Sequence, residues 1–249
     1  MNRIIEVCAN SAQSCVEAEA GGAARVELCA GIPEGGTTPS YGEIVMARQS
    51  TERIAIHVLI RPRAGDFLYT ETEVGAMLYD ILVAHQLGVQ GVVIGCLTPD
   101  GDIDELLLDR LMAAARPLSV TFHRAFDVCR DPHASLELLI RHGVDRVLTS
   151  GQEATAVQGI PLLRELMSQA DGRIVVMPGC GVRADNIGRI ESETGAREFH
   201  TSARRVVESG MIYRNERVPM GSCAVTSEFE TVQTDRHEVA RYVSQTCIK

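Results

Sequence analysis

The amino-acid sequence predicts a (β/α)8 TIM barrel, an α/β fold, and three features lead to that prediction. Short strand-like runs alternate strictly with amphipathic helical stretches through residues 1–203. Eight such runs occur, and four of them share one pattern: a glycine that ends a helix, a small apolar residue, two spacers and a strand. Because strict alternation produces parallel strands joined by right-handed crossovers, eight strands favour a closed barrel.

An open, doubly wound sheet is the competing architecture. Such a sheet usually carries a G-x-G-x-x-G motif after its first strand, whereas this chain has Cys8-Ala9-Asn10-Ser11 at that point. We therefore predict one TIM-barrel domain over residues 1–249, with a barrel core over 1–203 and a C-terminal extension over 204–249.

The expected elements follow from hydrophobic periodicity and helix capping. The odd-numbered strands are predicted at Ile4–Cys8, Ile54–Ile60, Leu118–Phe122 and Ile174–Met177. The even-numbered strands lie in the glycine-led repeats Gly22–Cys29, Gly88–Gly95, Gly143–Ser150 and Gly195–Ser202. Helices are predicted over Ala12–Ala20, Tyr41–Gln49, Glu71–Gln86, Asp102–Ala115, Pro132–His142, Ala154–Ala170 and Arg183–Glu193. The extension shows no strand pattern; Pro219–Asp235 reads as a loop or extended segment and Arg236–Thr246 as a last helix.

Composition limits the classes of partner. The net charge of -9, with basic residues scattered along the chain, argues against nucleic acid or an anionic membrane surface as the main partner. The absence of Trp and the 4% aromatic content argue against a base-stacking surface. No apolar run reaches the roughly 18 residues of a membrane span, and no signal-peptide pattern follows Met1. We expect a soluble, cytoplasmic protein without membrane contact.

The eight cysteines are dispersed through core-like segments and form no C-x-x-C motif. In a long, apparently cytosolic chain this pattern predicts reduced thiols rather than a disulfide framework.

An anion site is predicted where the seventh and eighth strands end. In TIM barrels the loops after the last two strands, together with a helix N-terminus, commonly bind phosphate. Gly179 and Gly181 would let backbone N–H groups approach such a ligand, and Thr201 and Ser202 would add hydroxyl donors. The alternative is that Gly179-Cys180-Gly181 is only a tight turn.

Four further polar residues are candidates for a catalytic site at the carboxyl ends of the strands. Glu27 is expected to be buried, and serves either in the site or as half of an ion pair. Arg61 could pair with Glu27 or hold an anionic substrate, with Arg63 adding charge. His123 and His200 end two strands, where they could act as acid and base, bind a metal or simply be structural. The loop Arg63–Tyr69 is either a lid or only a connection.

Thiols at strand ends offer a second class of site. Cys8, Cys29, Cys96 and Cys180 hold such positions, and soft thiolates suit Cu(I). We name Cys29, Cys96 and Cys180 as candidate metal ligands, although their spacing alone ranks a metal site below an anion site. The other cysteines, Cys15, Cys129, Cys223 and Cys247, are expected to be packing or surface thiols.

Several long motifs, in order along nearly the whole chain, resemble those of the CutC family of copper homeostasis proteins. They are VELCAGIPEGGTTPS at 26–40, HVLIRPRAGDFLY at 57–69, TFHRAFD at 121–127, VLTSG at 147–151 and PGCGV at 178–182. The resemblance implies a (β/α)8 barrel, a cytoplasmic homodimer and a role in copper handling or tolerance, with copper as the possible bound ion. It also implies that Glu27, Arg61, His123 and His200 are among the family's characteristic residues at the mouth of the barrel.

Three classes of function remain open from the residues. The first is a copper-binding or trafficking protein, and the resemblance favours a copper homeostasis role. The second is an enzyme acting on a small anionic or phosphorylated metabolite at the C-terminal mouth of the barrel. The third is a non-catalytic barrel that works through protein contacts.

Overall fold

The computed structural model describes residues 3–215, 217–218 and 227–244. Eight parallel strands form the sheet: β1 Ile4–Ala9, β2 Arg25–Leu28, β3 Ala55–Leu59, β4 Gly91–Ile94, β5 Ser119–Phe122, β6 Arg146–Thr149, β7 Val175–Pro178 and β8 Glu198–Thr201. They are hydrogen-bonded in the order β7-β6-β5-β4-β3-β2-β1-β8, and β8 lies beside β7, so the sheet curls into a nearly closed barrel. The predicted TIM-barrel fold is confirmed.

Seven helices surround the strands: α1 Ala12–Ala20, α2 Tyr41–Ser50, α3 Glu71–Gln86, α4 Glu105–Ala115, α5 Pro132–Arg141, α6 Ile160–Ala170 and α7 Ile187–Thr194. Most begin at a side chain that accepts a hydrogen bond from a free N–H of the first turn, as a helix N-terminus requires. Ser11 caps α1 in this way, and Thr70 and Glu73 form a reciprocal capping box on α3.

Three helices begin later than the sequence predicted. The predicted first residues were Asp102 for α4, Ala154 for α6 and Arg183 for α7, and local hydrogen bonds explain the differences. Asp104 caps α4 by accepting from the N–H of Leu107. Residues 154–159 form turns in which Ala156 N–H donates to the Cys180 carbonyl. The Asn186 side chain accepts from Arg183 N–H, which makes a turn in front of α7.

The extension contains strands, so the prediction that it lacks them was wrong. Strands β9 Arg204–Glu208 and β10 Glu230–Thr234 form an antiparallel ribbon, followed by helix α8 Arg236–Ser244. The side chains of β9 are almost all exposed, and without a buried face a strand shows no alternating pattern in its sequence. Of the segments predicted here, residues 219–226 and 245–246 lie outside the described part of the chain, as do Cys223 and Cys247.

Helix α8 packs on the barrel through Val239 and Tyr242, which are buried. Gly21 permits this contact, since a Cβ there would lie 2.5 Å from the Val239 Cβ. Tyr242 Oη also donates to the Val182 carbonyl in the loop after β7. The extension therefore reaches the end of the barrel at which β7 and β8 finish.

Two layers of packing hold the barrel together. Apolar side chains fill the space between strands and helices, with Phe122, Phe126 and Phe199 among the largest that are fully buried. Inside the barrel the layer is polar, and glycine makes room for an imidazole: a Cβ on Gly91 would lie 2.6 Å from the His57 ring.

We expect Gly91→Ala to lower the free energy of unfolding by about 1–3 kcal/mol, since an extra methyl group would overpack the ring of His57. The matched control is Gly75→Ala in α3, where a Cβ meets nothing within 4 Å. That substitution should stabilise by about 0.5–1 kcal/mol through helix propensity alone. Urea unfolding of the two variants measures both effects, and equal stabilities would contradict the packing described for His57.

Candidate functional site

A cavity of about 940 Å3 opens at the carboxyl ends of the strands. Its walls come from strand ends, from the loops that follow them and from the extension. Its lining residues include Cys8, Glu27, Cys29, Arg61, Phe67, His123, Asp127, Cys180, Gly181, His200, Thr201, Ser202 and Arg204. This is the end of the barrel at which TIM-barrel proteins place their functional groups.

One side of the cavity carries thiols. Cys8 and Cys29 end the neighbouring strands β1 and β2, and their Sγ atoms are 3.6 Å apart. The Cys29 Sγ also contacts the Ala9 carbonyl at 3.6 Å, and Arg204 Nη2 donates to the Cys8 Sγ at 3.3 Å. The thiol pair is free, so both sulfur atoms are available as ligands.

His200 and Glu27 lie against this thiol pair. The His200 Nε2 is 3.7 Å from a Glu27 carboxyl oxygen. One ligand atom each from Cys8, Glu27 and His200 lies within 4.8 Å of the other two, which is close enough for all three to contact one metal ion. Part of the predicted site is therefore brought together, with Cys8 added to it.

A network of buried charges lies beneath His200. Glu6 accepts from Arg25 through one carboxyl oxygen, and His200 Nδ1 lies 2.7 Å from the other. Arg25 also donates to Glu198 at 2.6 Å, and Arg146 Nε donates to the same Glu198 oxygen at 3.0 Å. The bond to Glu6 fixes the ring of His200 so that its other nitrogen faces Glu27.

These contacts shift the acidities at the thiol side. Burial raises the pKa of Glu27 to about 8, with Cys8 and Glu6 adding to the effect. Burial opposes a charge on His200, but the Glu27 carboxyl, Cys8 and Glu6 raise the pKa of His200 well above its ordinary value. Glu6 is also fully buried, yet the Arg25 guanidinium and His200 keep its pKa below the usual range.

The two thiols differ in acidity. The hydrogen bond from Cys29 lowers the pKa of Cys8, which also faces His200 and Arg204, and the same bond together with burial raises the pKa of Cys29. Because Arg204 donates directly to the Cys8 Sγ, Cys8 is the more acidic of the two thiols.

A second group of cavity residues consists of Arg61 and His123, which follow β3 and β5, and Phe67 in the loop after β3. Arg61 donates to the carbonyls of Glu34, Gly36 and Gly65, at 3.1, 2.7 and 2.7 Å. It makes no ion pair with Glu27, so of the two roles left open by the sequence the pairing is excluded. Phe67 packs between its two neighbours, with its ring centroid 4.9 Å from that of His123 and 5.1 Å from the Arg61 guanidinium carbon.

His123 is buried and neutral. Burial lowers its pKa to about 3, and the nearby Arg61 charge acts in the same direction. Its Nδ1 accepts from the Ala125 N–H at 3.1 Å, so the proton of the neutral ring is on Nε2. No group in the described part of the chain bonds to that Nε2.

Arg63 and Cys96 lie elsewhere, so the sequence grouped them wrongly with the residues around the cavity. Arg63 points along its own loop, where it donates to Glu73 at 2.5 Å and to Asp66 at 3.0 Å. Cys96 is fully buried, with its Sγ against the Asp104 carbonyl ahead of α4. Burial raises the pKa of Cys96 further, which makes it a packing thiol.

The loops after β7 and β8 reach the cavity only in part. Gly181, Thr201 and Ser202 line it, and Gly181 has a φ of +72° that favours glycine. Gly179 has another function, because its N–H donates to the Thr149 carbonyl and a Cβ there would lie 2.4 Å from Leu148. Cys180 lines the cavity but its Sγ contacts the Ala154 carbonyl at 3.2 Å, away from the thiol pair. An anion-binding role of this loop stays a prediction.

Comparison with known proteins identifies the family. The family model described as "CutC family" matches residues 3–205. The chain belongs to the CutC family. A CutC protein of Parabacteroides distasonis is 70% identical over 243 residues, covering 98% of this chain and 100% of that one. The human protein named copper homeostasis protein cutC homolog is 51% identical over 232 residues, covering 93% and 85%.

Solved structures agree with this assignment to the CutC family. The crystal structure of a putative copper homeostasis protein CutC from Streptococcus agalactiae matches with a TM-score of 0.77 and 36% identity, covering 80% of this chain and 97% of that one. N-(5'-phosphoribosyl)anthranilate isomerase from Pyrococcus furiosus matches at 10% identity with a TM-score of 0.56, covering 98% of each chain, and shows the barrel fold alone.

Sequence reasoning missed two parts of the site in this CutC family member. Cys8 was recognised as a strand-end thiol but was left out of the metal-ligand set. The signal was present, since Glu6 and Cys8, like Glu27 and Cys29, are two residues apart and so point to one face. The ion network around Arg25 gave no local signal because its members are distant in sequence.

Acid should destabilise the protein through His57, whose pKa burial lowers to about 3. The imidazole has a pKa of 6.5 in the unfolded chain. At pH values between about 3 and 6.5 the unfolded chain therefore binds a proton at His57 that the folded chain does not, so the free energy of unfolding falls as the pH falls. When the pH is lowered from 6.5 to about 5, the free energy of unfolding of the wild type should therefore fall by roughly 1.5 kcal/mol more than that of His57→Gln. Urea unfolding at both pH values measures the difference, and the same loss in both proteins would contradict a neutral buried His57.

Proposed function

We propose that this chain acts in copper homeostasis by binding Cu(I), as cargo, between Cys8 and Cys29. The single observation that carries the proposal is the 3.6 Å separation of the two Sγ atoms at the wall of an open cavity. Soft thiolates are the ligands that favour Cu(I) over harder metal ions. The copper homeostasis names of relatives such as the human protein support the same role.

The neighbouring charges suit a metal held by thiolates. A Cu(I) ion with two thiolates carries a net negative charge, and a buried charge needs a partner of opposite sign. Arg204 supplies one at the Cys8 sulfur, with its Nη2 at 3.3 Å. It can thus stabilise both the free thiolate and the loaded site.

His200 is the third ligand in this proposal. Its Nε2 belongs to the group of ligand atoms that lie within 4.8 Å of each other, and imidazole nitrogen also suits copper. Since its pKa is raised, His200 must lose a proton when it binds the metal. Glu27, a hard oxygen ligand whose pKa is raised to about 8, fits better as the group that exchanges this proton.

Cys8→Ser and Cys29→Ser should each weaken Cu(I) binding by about 100-fold or more, since each removes one of the two soft ligands. The measurement is titration of the reduced protein with Cu(I) against a competing chelator. Cys129→Ser is the matched control, because that thiol lies away from the cavity.

Cys180→Ser distinguishes the proposed Cys8 and Cys29 pair from the metal-ligand set predicted from the sequence, which included Cys180. The Cys180 Sγ contacts a backbone carbonyl at 3.2 Å, and its substitution should change the affinity less than twofold. Unchanged affinity in Cys8→Ser, or a loss as large in Cys180→Ser, would refute the proposed thiol pair.

The enzymatic alternative receives no support from the comparisons, since the matches to solved enzymes at 10–17% identity concern the fold alone. The part of the chain that the structure describes has no helix long and apolar enough to cross a membrane. A cytoplasmic location remains part of the proposal and rests on the family resemblance.

A homodimer is the proposed assembly. Met211, Ile212 and Tyr213, which follow β9, are exposed by 59%, 100% and 75%, and adjacent exposed apolar side chains are typical of a protein interface. We expect light scattering to give twice the chain mass of 27.0 kDa. Ile212→Asp should shift the equilibrium toward the monomer, whereas a wild type of single-chain mass would contradict the assembly.

A further inference from the structure

We propose that the part of the cavity formed by Arg61, His123 and Phe67 is a binding site for a small ligand bearing an oxyanion, a phosphate or carboxylate group. Arg61 and the Nε2–H of His123 are its donors, and Phe67 lies between them. The site is distinct from the thiol pair and needs no copper.

The first observation is a buried cation without an anion. Arg61 is 6% exposed, and all three acceptors of its guanidinium are backbone carbonyls. No carboxylate among the residues that the structure describes forms an ion pair with it, and its Nε has no acceptor there either. By contrast, the buried Arg25 and the partly buried Arg146 both bind carboxylates. Buried charges in proteins are generally paired, so Arg61 is the exception that a ligand would complete.

The second observation is an independent donor next to that cation. His123 is 5% exposed and neutral, and its Nδ1 accepts from the Ala125 N–H. Its proton is therefore on Nε2, which has no acceptor among the described residues. A neutral N–H donor beside a guanidinium is complementary to an oxyanion and would repel a cation.

The surroundings permit an anion to enter. Asp127 is the acidic cavity residue in the short helical turn that follows His123, and its carboxylate is already used by Thr149 and Ser150 and by an ion pair with Arg124. The ring of Phe67 contacts both Arg61 and His123 and is only half-buried. The Arg61 Nε and the His123 Nε2 are both buried, and the Phe67 ring packs against both side chains. A movement of Phe67 would therefore expose these donor atoms to the cavity.

The loop that carries Phe67 can allow such a displacement. Residues 64–66 are exposed, and Gly65 has a φ of +87°, a conformation open to glycine at no steric cost. The Gly65 carbonyl is itself an acceptor of Arg61. An oxyanion that bound Arg61 would therefore act on the same loop that covers the site.

The test is a titration of copper-free protein with inorganic phosphate and, separately, with acetate, at constant ionic strength. Nitrogen-15 NMR of the histidine rings reports binding without any substitution. We expect a saturable shift of the His123 Nε2 signal and none for His133 or His237, which are on the surface. A response to phosphate alone, to acetate alone or to both would identify the oxyanion class.

Substitutions then assign the donors. Isothermal titration calorimetry, which does not depend on the His123 signal, measures the affinity of each variant. Arg61→Lys and His123→Asn should each weaken binding about tenfold or more, the effect of losing one charge-assisted or neutral hydrogen bond. Asn can still cap the turn by accepting from the Ala125 N–H. Arg110→Gln is the control, since Arg110 is a surface residue that pairs with Glu71.

Two results would overturn the inference. One is the absence of a saturable His123 shift at about 10 mM phosphate and at about 10 mM acetate, concentrations that fill a site of millimolar Kd. The other is equal affinity in the wild type, Arg61→Lys and His123→Asn. The Cys8→Ser variant keeps this test separate from the copper proposal, since it should lose Cu(I) binding and retain the phosphate or acetate response.

Discussion

The burial of charged groups inside the barrel is the constraint on which the rest of the structure depends. Glu6, Arg25, Glu198 and Arg146 come from four strands, β1, β2, β8 and β6; the first three are buried and Arg146 is partly buried, so solvent does little to stabilise their charges. Each needs partners of opposite sign, since removing one partner from a buried pair leaves an uncompensated charge that typically costs about 3–5 kcal/mol. Closure of the barrel with β1 between β2 and β8 brings Arg25 to both carboxylates.

Glu6 connects the buried ion network to the residues at the mouth of the barrel. One of its oxygens is fixed by Arg25, and the other fixes the Nδ1 of His200. The imidazole can then present only Nε2 to the cavity, in contact with Glu27 and near Cys8. The buried network thus has a function beyond stability: it sets the orientation of a side chain that lines the site. The short E-x-C pattern is repeated on β1 and β2 with a shift: Glu6 lies in the buried network, whereas Glu27 is level with Cys8 and lines the cavity.

The fold could be predicted from the sequence because its signal is local and repeated. Each strand and helix is marked by its own periodicity and caps, and four glycine-led repeats fix the count. The thiol pair could be predicted only in part, since contact between Cys8 and Cys29 depends on the register of two strands. The partners of Arg61 could not be predicted at all, because three backbone carbonyls have no sequence signature. The exposed ribbon of the extension was missed for a related reason, as it has no buried face to impose a pattern.

The two sides of the cavity differ in the chemistry they can accept, and the difference originates in burial. At the thiol pair, a metal would displace protons from Cys29 and His200, and Glu27 lies close enough to His200 to take one up. At Arg61 and His123, the imidazole is held neutral and the guanidinium lacks a carboxylate partner, so these residues offer hydrogen-bond donors and positive charge but no soft ligand. The thiol pair would therefore take a metal cation, and Arg61 with His123 would take an anion, at two sets of residues within one cavity.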